Sequence, residues 1–263
     1  MVGLQPVIIR AGFFDSSVVH RGWSDSPPRV LGTFEIAMFV KDGGTAWLNG
    51  REYLLREGHI LFGRPGDVRW NKLHFQCQTI HFSTDEPTLL QMLDTLPQYF
   101  KPQDPEMTLE MFKAVQTAFE TTSALSAVAA SGRICELLWQ LHLHNAVEAV
   151  PISRRSVRKA VRLIQRKYDE QLTVERMAKV CGLSVSHFHK LFVESTGTSP
   201  NRYLILTRLT AAKNMLATGN QSVAQVAESC GFTSQAYFCQ CMKKFTGMSP
   251  KAYFRPVNRP EDI

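Results

Sequence analysis

The sequence predicts an α+β protein of two domains. The first is an N-terminal antiparallel β-barrel with helices; the second is an all-α C-terminal domain with two helix-turn-helix units joined by a long helix. Three observations carry the expectation. Short strand-type runs punctuated by Gly, Pro and Asn fill the first 85 or so residues. Apolar residues at helical spacing follow from Thr88. A stretch near Val174 is repeated about 50 residues later. A chain of 263 residues has room for two ordinary domains.

The strand-type runs are Thr33–Val40, Thr45–Leu48, Glu52–Leu55, Ile60–Phe62 and Gln76–Phe82. Asp42-Gly43-Gly44 and Asn49-Gly50 separate the first three, and Asn-Gly between two strands is the strongest short-range hairpin signal. Many short strands at this spacing suggest an antiparallel barrel or sandwich. Leu109, Phe112, Val115 and Phe119, then Ile134, Leu137, Leu138 and Leu141, mark at least two helices through Val147. They either pack on the barrel or form a dimer seam. Glu148–Ser153 reads as a linker ended by Pro151, with Ser153 placed to cap the next helix. The chain thus divides into a barrel at 1–85, a helical dimerisation or linker region at 86–150, and a helical domain at 151–263.

Charge divides at the same place. Residues 1–150 hold 12 Lys and Arg against 16 Asp and Glu, and residues 151–263 hold 18 against 7. The whole basic excess belongs to the C-terminal part, which points to a polyanion partner there. No apolar run approaches the ~18–20 residues that span a bilayer. Residues 1–10 lack the layout of a signal peptide, so a cytoplasmic protein is expected, with no membrane partner. Six cysteines without a CxxC pair read as buried free thiols.

The repeat aligns Val174, Ala178, Cys181 and Gly182 with Val223, Ala227, Cys230 and Gly231. After one inserted residue it aligns Phe188, Thr196, Gly197, Ser199, Pro200 and Tyr203 with Phe238, Thr246, Gly247, Ser249, Pro250 and Tyr253. Leu183/Phe232 and Ser184/Thr233 bridge the two blocks. Each unit has a short helix with a small Ala at its centre, a Gly turn, a Ser or Thr cap, and a second helix closed by Thr-Gly before Ser-Pro. That layout frees the second helix to enter a major groove. A helical repeat for protein binding is the alternative, but stacked repeats need three or more units.

These residues resemble the AraC/XylS family of bacterial transcription regulators over roughly Ser153 to Pro256. The carrying motifs include Gly182-Leu-Ser, Thr196-Gly-x-Ser-Pro200-(x)2-Tyr203, Tyr237-Phe238 and Lys243-Lys-Phe-Thr-Gly-Met-Ser-Pro250. The resemblance implies a long helix, Pro200–Thr218, that holds two recognition helices in successive major grooves ~34 Å apart on double-stranded DNA. It places Ser186, His187, His189 and Lys190 of the first unit at the DNA, with Gln235, Ala236, Cys239, Gln240, Lys243 and Lys244 of the second. Many relatives carry Arg where Gln240 stands, so the first unit is expected to dominate base readout. The N-terminal region resembles the cupin-like sensing domain of the same family, through Val40-Lys-Asp-Gly-Gly44, Asn49-Gly-Arg-Glu-Tyr53 and Pro65-Gly66. That likeness implies a small-molecule effector, sugar-like, with Lys41, Arg69 and Asn71 at the pocket positions. Arg and Asn suit hydroxyl or carboxylate groups; ordinary barrel-rim residues are the alternative. It further implies an activator acting with RNA polymerase, as a homodimer and without a cofactor.

Catalysis has little support. The chain has no His-x-His on a strand, no G-x-S-x-G, no phosphate-binding loop and no dinucleotide fingerprint. A DNA-repair methyl acceptor would need an activated Cys beside a basic, His-rich motif.

Overall fold

A computed structural model describes residues 6–19, 25–72, 74–123, 125–145, 152–217 and 221–253. The first part contains β1 (Val7–Asp15), α1 (Ser16–Val19), β2 (Arg29–Val30), β3 (Phe34–Phe39), β4 (Thr45–Leu48), β5 (Arg51–Leu54), β6 (Ile60–Gly63), β7 (Val68–Lys72) and β8 (Gln76–Ser83). Next come α2 (Pro87–Thr95), β9 (Tyr99–Phe100), α3 (Pro105–Glu120) and α4 (Ser126–Asn145). All strand pairings are antiparallel, in two sheets of order β1-β8-β3-β6-β9 and β2-β7-β4-β5. The expected barrel is thus a pair of facing sheets without full closure.

Strand β3 shows how the layers form. Its even residues Phe34, Ile36 and Met38 face a core shared with Phe112, Val115, Ile134, Leu137, Leu138 and Leu141 of α3 and α4. Its odd residues Ala37 and Phe39 face the interior between the sheets, with Leu31, Ala46, Leu48, Leu61, Phe75 and Cys77. A strand covered on both sides reads as a near-continuous apolar run, which is why Phe34–Phe39 shows no polar alternation. Asn49 and Gly50 take φ of 54° and 78°, as a tight two-residue hairpin between β4 and β5 requires. Helix α3 starts where Asp104 accepts from the Met107 N–H with Pro105 at the first helical position.

The C-terminal part comprises α5 (Ile152–Lys167), α6 (Val174–Cys181), α7 (Val185–Thr196), α8 (Pro200–Ala217), α9 (Val223–Ser229), α10 (Gln235–Thr246) and α11 (Pro250–Tyr253). Since α5 begins at Ile152, Ser153 lies within the helix and is not its cap. The rest of the proposed linker, 148–151, falls outside the described residues, as do Thr218 and Pro256. Helix α8 serves two cores in turn. Tyr203, Leu204 and Leu206 belong with Phe188 and Phe192; Leu209, Ala212 and Leu216 belong with Val226, Phe238 and Met242. Arg208, buried between the two, donates to the Tyr168 and Glu170 carbonyls and fixes α8 to the end of α5.

Candidate nucleic-acid interface

Each second helix is set by its cap. Ser184 accepts from the His187 N–H at the start of α7, and Ser234 accepts from the Tyr237 N–H at the start of α10. The cap of α10 is therefore Ser234, and not Thr233 as the repeat alignment suggested. The inserted residue precedes the cap, so Ser184 and Ser234 are themselves a matched pair. Gly182 closes α6 at φ 68°, a conformation that costs any residue with a Cβ.

The buried side of α7 carries Phe188, Phe192 and Thr196; that of α10 carries Phe238, Cys241, Met242 and Thr246. Helical spacing then dictates the outer side. Ser186, His187, His189 and Lys190 are all exposed on α7. On α10, Gln235, Ala236, Gln240, Lys243 and Lys244 are exposed and Cys239 is half-buried. Every candidate DNA-contacting residue except the half-buried Cys239 is thus exposed on its helix. At matched positions Lys190 stands opposite Gln240, and Val193 opposite Lys243. The positive charge sits one turn later along the second helix than along the first.

Of the three candidate effector residues, Arg69 and Asn71 are brought into hydrogen-bond contact and Lys41 is not part of that pair. Lys41 is exposed in the turn after β3, while Arg69 and Asn71 are buried between the sheets. Arg69 donates from Nε to Asn71 Oδ1 at 3.2 Å and from Nη1 to Glu35 Oε2 at 3.5 Å. Glu35 also takes two 2.6 Å bonds from the Arg29 guanidinium, and His81 Nδ1 stands 3.6 Å from its Oε1. Burial alone would raise the Glu35 carboxyl; Arg29 foremost, with His81 and Arg69, instead holds it at about 2. Burial likewise pushes the His81 ring down. The organising residue is therefore Glu35. Its signal in the sequence was a lone carboxylate inside an apolar strand, because a carboxylate with apolar neighbours on both sides must find a cation.

Burial disfavours the thiolate at five cysteines. Burial pushes Cys77 up to about 12 and Cys230 up to about 11, and raises Cys181, Cys241 and Cys135 as well. Not every thiol is buried, contrary to expectation: Cys135 is exposed and Cys239 half-buried. Among the described residues no helix is long and apolar enough to cross a membrane.

Residues 177–256 match the family described as "Helix-turn-helix domain". Among curated proteins, the chain is 34% identical over 90 residues to the probable transcriptional regulator LumQ of Photobacterium leiognathi, covering 34% of this chain and 36% of LumQ. It is 25% identical over 241 residues to the transcriptional activator RhaS of Escherichia fergusonii, covering 82% and 83%. The chain therefore spans about a third of one relative and most of the other. Among solved structures, ToxT of Vibrio cholerae with bound unsaturated fatty acid superposes over 97% of both chains with a TM-score of 0.55, at 11% identity. That likeness concerns the fold: an N-terminal sheet domain followed by a C-terminal helical domain.

Proposed function

We propose a division of labour within this chain, a transcriptional regulator whose residues 177–256 form an AraC-type DNA-binding domain. Residues 151–263 bind double-stranded DNA in a sequence-specific way, the sheets of 1–85 sense a small polar effector, and the helices of 86–150 join two copies. The observation that carries the DNA assignment is the exposure of all the polar recognition-helix residues on two units whose opposite faces are fully committed to their cores. Lys190 and Gln240 read base edges, Lys and Gln both having the donors for it. Lys243 and Lys244 neutralise phosphates, which adds affinity without sequence.

The full chain is first used to select bound fragments from genomic DNA, and the preferred site is then varied base by base at fixed salt. Lys190→Ala is expected to weaken the preferred site by about 1–3 kcal/mol and to relax discrimination at the bases under α7. Gln240→Ala is expected to do less. If both variants weaken every sequence equally, the two side chains touch phosphates and the base-reading assignment fails.

The effector reading rests on Arg69 and Asn71, polar groups held between the sheets, bonded to each other and, through Arg69, to Glu35. A small polar molecule, sugar-like or a carboxylate, would have to compete for those bonds. Lys41, exposed in its turn, serves at most the rim. Dimerisation is supported by α4, which leaves Val128, Trp139 and Leu143 exposed, Trp139 lining a groove of about 580 Å³ with Leu89, Met92, Cys135 and His142. Activation through RNA polymerase is the reading we favour, RhaS being named an activator. A catalytic alternative is weakened by the thiols. AdaA of Bacillus subtilis, named a bifunctional transcriptional activator and DNA-repair enzyme, is 32% identical over 99 residues, 38% of this chain. Here the buried thiols are shifted away from the reactive thiolate.

A further inference from the structure

The two units of the repeat differ in what surrounds them. Tyr203, which closes the first unit, is fully buried, and its hydroxyl donates to the Gly66 carbonyl of the N-terminal sheet domain at 2.5 Å. Its counterpart Tyr253 instead lies under Lys213, whose Nζ is 5.3 Å from the ring centre. Gly197, which ends α7, is packed so closely on the β4–β5 turn that a Cβ there would lie 2.2 Å from the Asn49 carbonyl carbon. A Cβ at the matching Gly247 would meet no described atom within 4 Å. Gly66 is as tight in the other direction: a Cβ would come within 2.4 Å of Val161 on α5. A further tie is the ion pair of Arg158 on α5 with Asp94 on α2.

The strands beneath this contact have two faces. Val30 pairs with Val68 across β2 and β7, and both are buried in one core with Val157, Val161, Phe192 and Tyr203. One residue along, Arg29 pairs with Arg69, and both bond to Glu35. Strand alternation therefore places the charged cluster and the first DNA-binding unit on opposite sides of the same two-stranded ribbon.

We propose that the N-terminal domain controls DNA binding through the first unit, by a latch formed of Gly66–Tyr203 and Asn49-Gly50–Gly197, and that the β2–β7 ribbon ties this latch to the state of the Glu35–Arg29–Arg69 cluster. The latch leaves the α7 side chains Ser186, His189 and Lys190 exposed. It acts by fixing where the first recognition helix points and does not cover it. The second unit follows through α8. A ligand that takes Glu35's place on Arg29 and Arg69 would shift the ribbon and so loosen the latch. The last step rests on the sensor reading above; the latch itself does not.

Hydrogen exchange followed by mass spectrometry on the full chain tests both parts without a ligand. Tyr203→Phe keeps the ring in its core and removes one hydrogen bond. It is expected to raise exchange about fivefold together in β2, β7, α5 and α7, the size of a bond worth about 1 kcal/mol. Exchange in α9 and α10 should stay as it was, and Tyr253→Phe should leave β2 and β7 unchanged. Asp94→Asn, a surface change that spares every core, should give a smaller rise in the same four elements and serves if Tyr203→Phe does not fold. Equal loosening of both units, or none, overturns the latch. For the ribbon, Glu35→Gln should raise exchange in α5 and α7 as well as in β2 and β7; a rise confined to the strands overturns the coupling. If the latch results hold while no effector is ever found, the sensor reading fails and the latch stands.

Discussion

Glu35→Gln is expected to cost the N-terminal domain about 3 kcal/mol at pH 7, the low end of the range for removing one partner of a buried ion pair. The cost arises from what is left behind. The Arg69 side chain is 6% exposed, and Glu35 is the carboxylate within ion-pair distance of it. Arg29, with 40% of its side chain in contact with solvent, loses less. The effect should depend on pH in a way a packing defect would not. Glu35 titrates at about 2 in the folded chain and near ~4.3 when unfolded. A depressed folded value means that the carboxylate's contribution is complete above the unfolded value and is lost as pH falls toward 2. Urea unfolding of both proteins should therefore give a difference that is largest at neutral pH and shrinks between about pH 5 and pH 2. A difference of the same size at pH 7 and pH 3 would mean that Glu35 matters for its shape and not for its charge.

The contrast between this cluster and the DNA-binding units shows what a sequence can carry. The units are legible because their determinants are local. The cap at Ser184, left-handed glycines and Ser-Pro starts recur within a few residues of the apolar positions they serve. Asn49-Gly50 announced its hairpin for the same reason. What was missed depends on pairing between distant segments. Strand β1 breaks its apolar run with Arg10 and Gly12, and its partner β8 lies about 70 residues away. Strand β7, Val-Arg-Trp-Asn-Lys, has little intrinsic strand preference beyond Val68 and Trp70. It is a strand because β2 and β4 flank it, and Trp70 stacks on Trp47 across the ladder at 3.7 Å. Glu35 and Tyr203 have the same character. One read as a strand member and the other as a repeat residue, and only the assembled fold gives them Arg29, Arg69 and Gly66 as partners. The inserted residue of the second unit was misplaced by one position for the opposite reason. Adjacent Thr233 and Ser234 can both cap a helix, and local chemistry alone does not choose between them.

Hollowing out the two units separately should expose their inequality. Phe192 and Phe238 are fully buried at the centre of each, so truncation to Ala is expected to cost about 3–5 kcal/mol in either. Phe192 meets Phe188 and Tyr203 edge-on, both at 5.3 Å, and shares its core with Val30 and Val68. Phe192→Ala therefore weakens the unit that holds Lys190 and also its seat on the N-terminal domain. Phe238 packs against Phe232 at 5.0 Å in a core that, among the described residues, contains none of the N-terminal sheets. Phe238→Ala should loosen α9, α10 and the second half of α8, which shares their core, and leave α5–α7 in place. Competition binding at one salt concentration reads the difference. With Phe192→Ala, affinity and discrimination at the bases under α7 should fall together. With Phe238→Ala, affinity should fall through the loss of Lys243 and Lys244, while the ranking of sequences under α7 persists. If the two variants lose discrimination to the same degree, base readout is shared evenly, and Gln240 does the work assigned here to Lys190. If only the Phe238→Ala variant loses it, the order of the units is reversed.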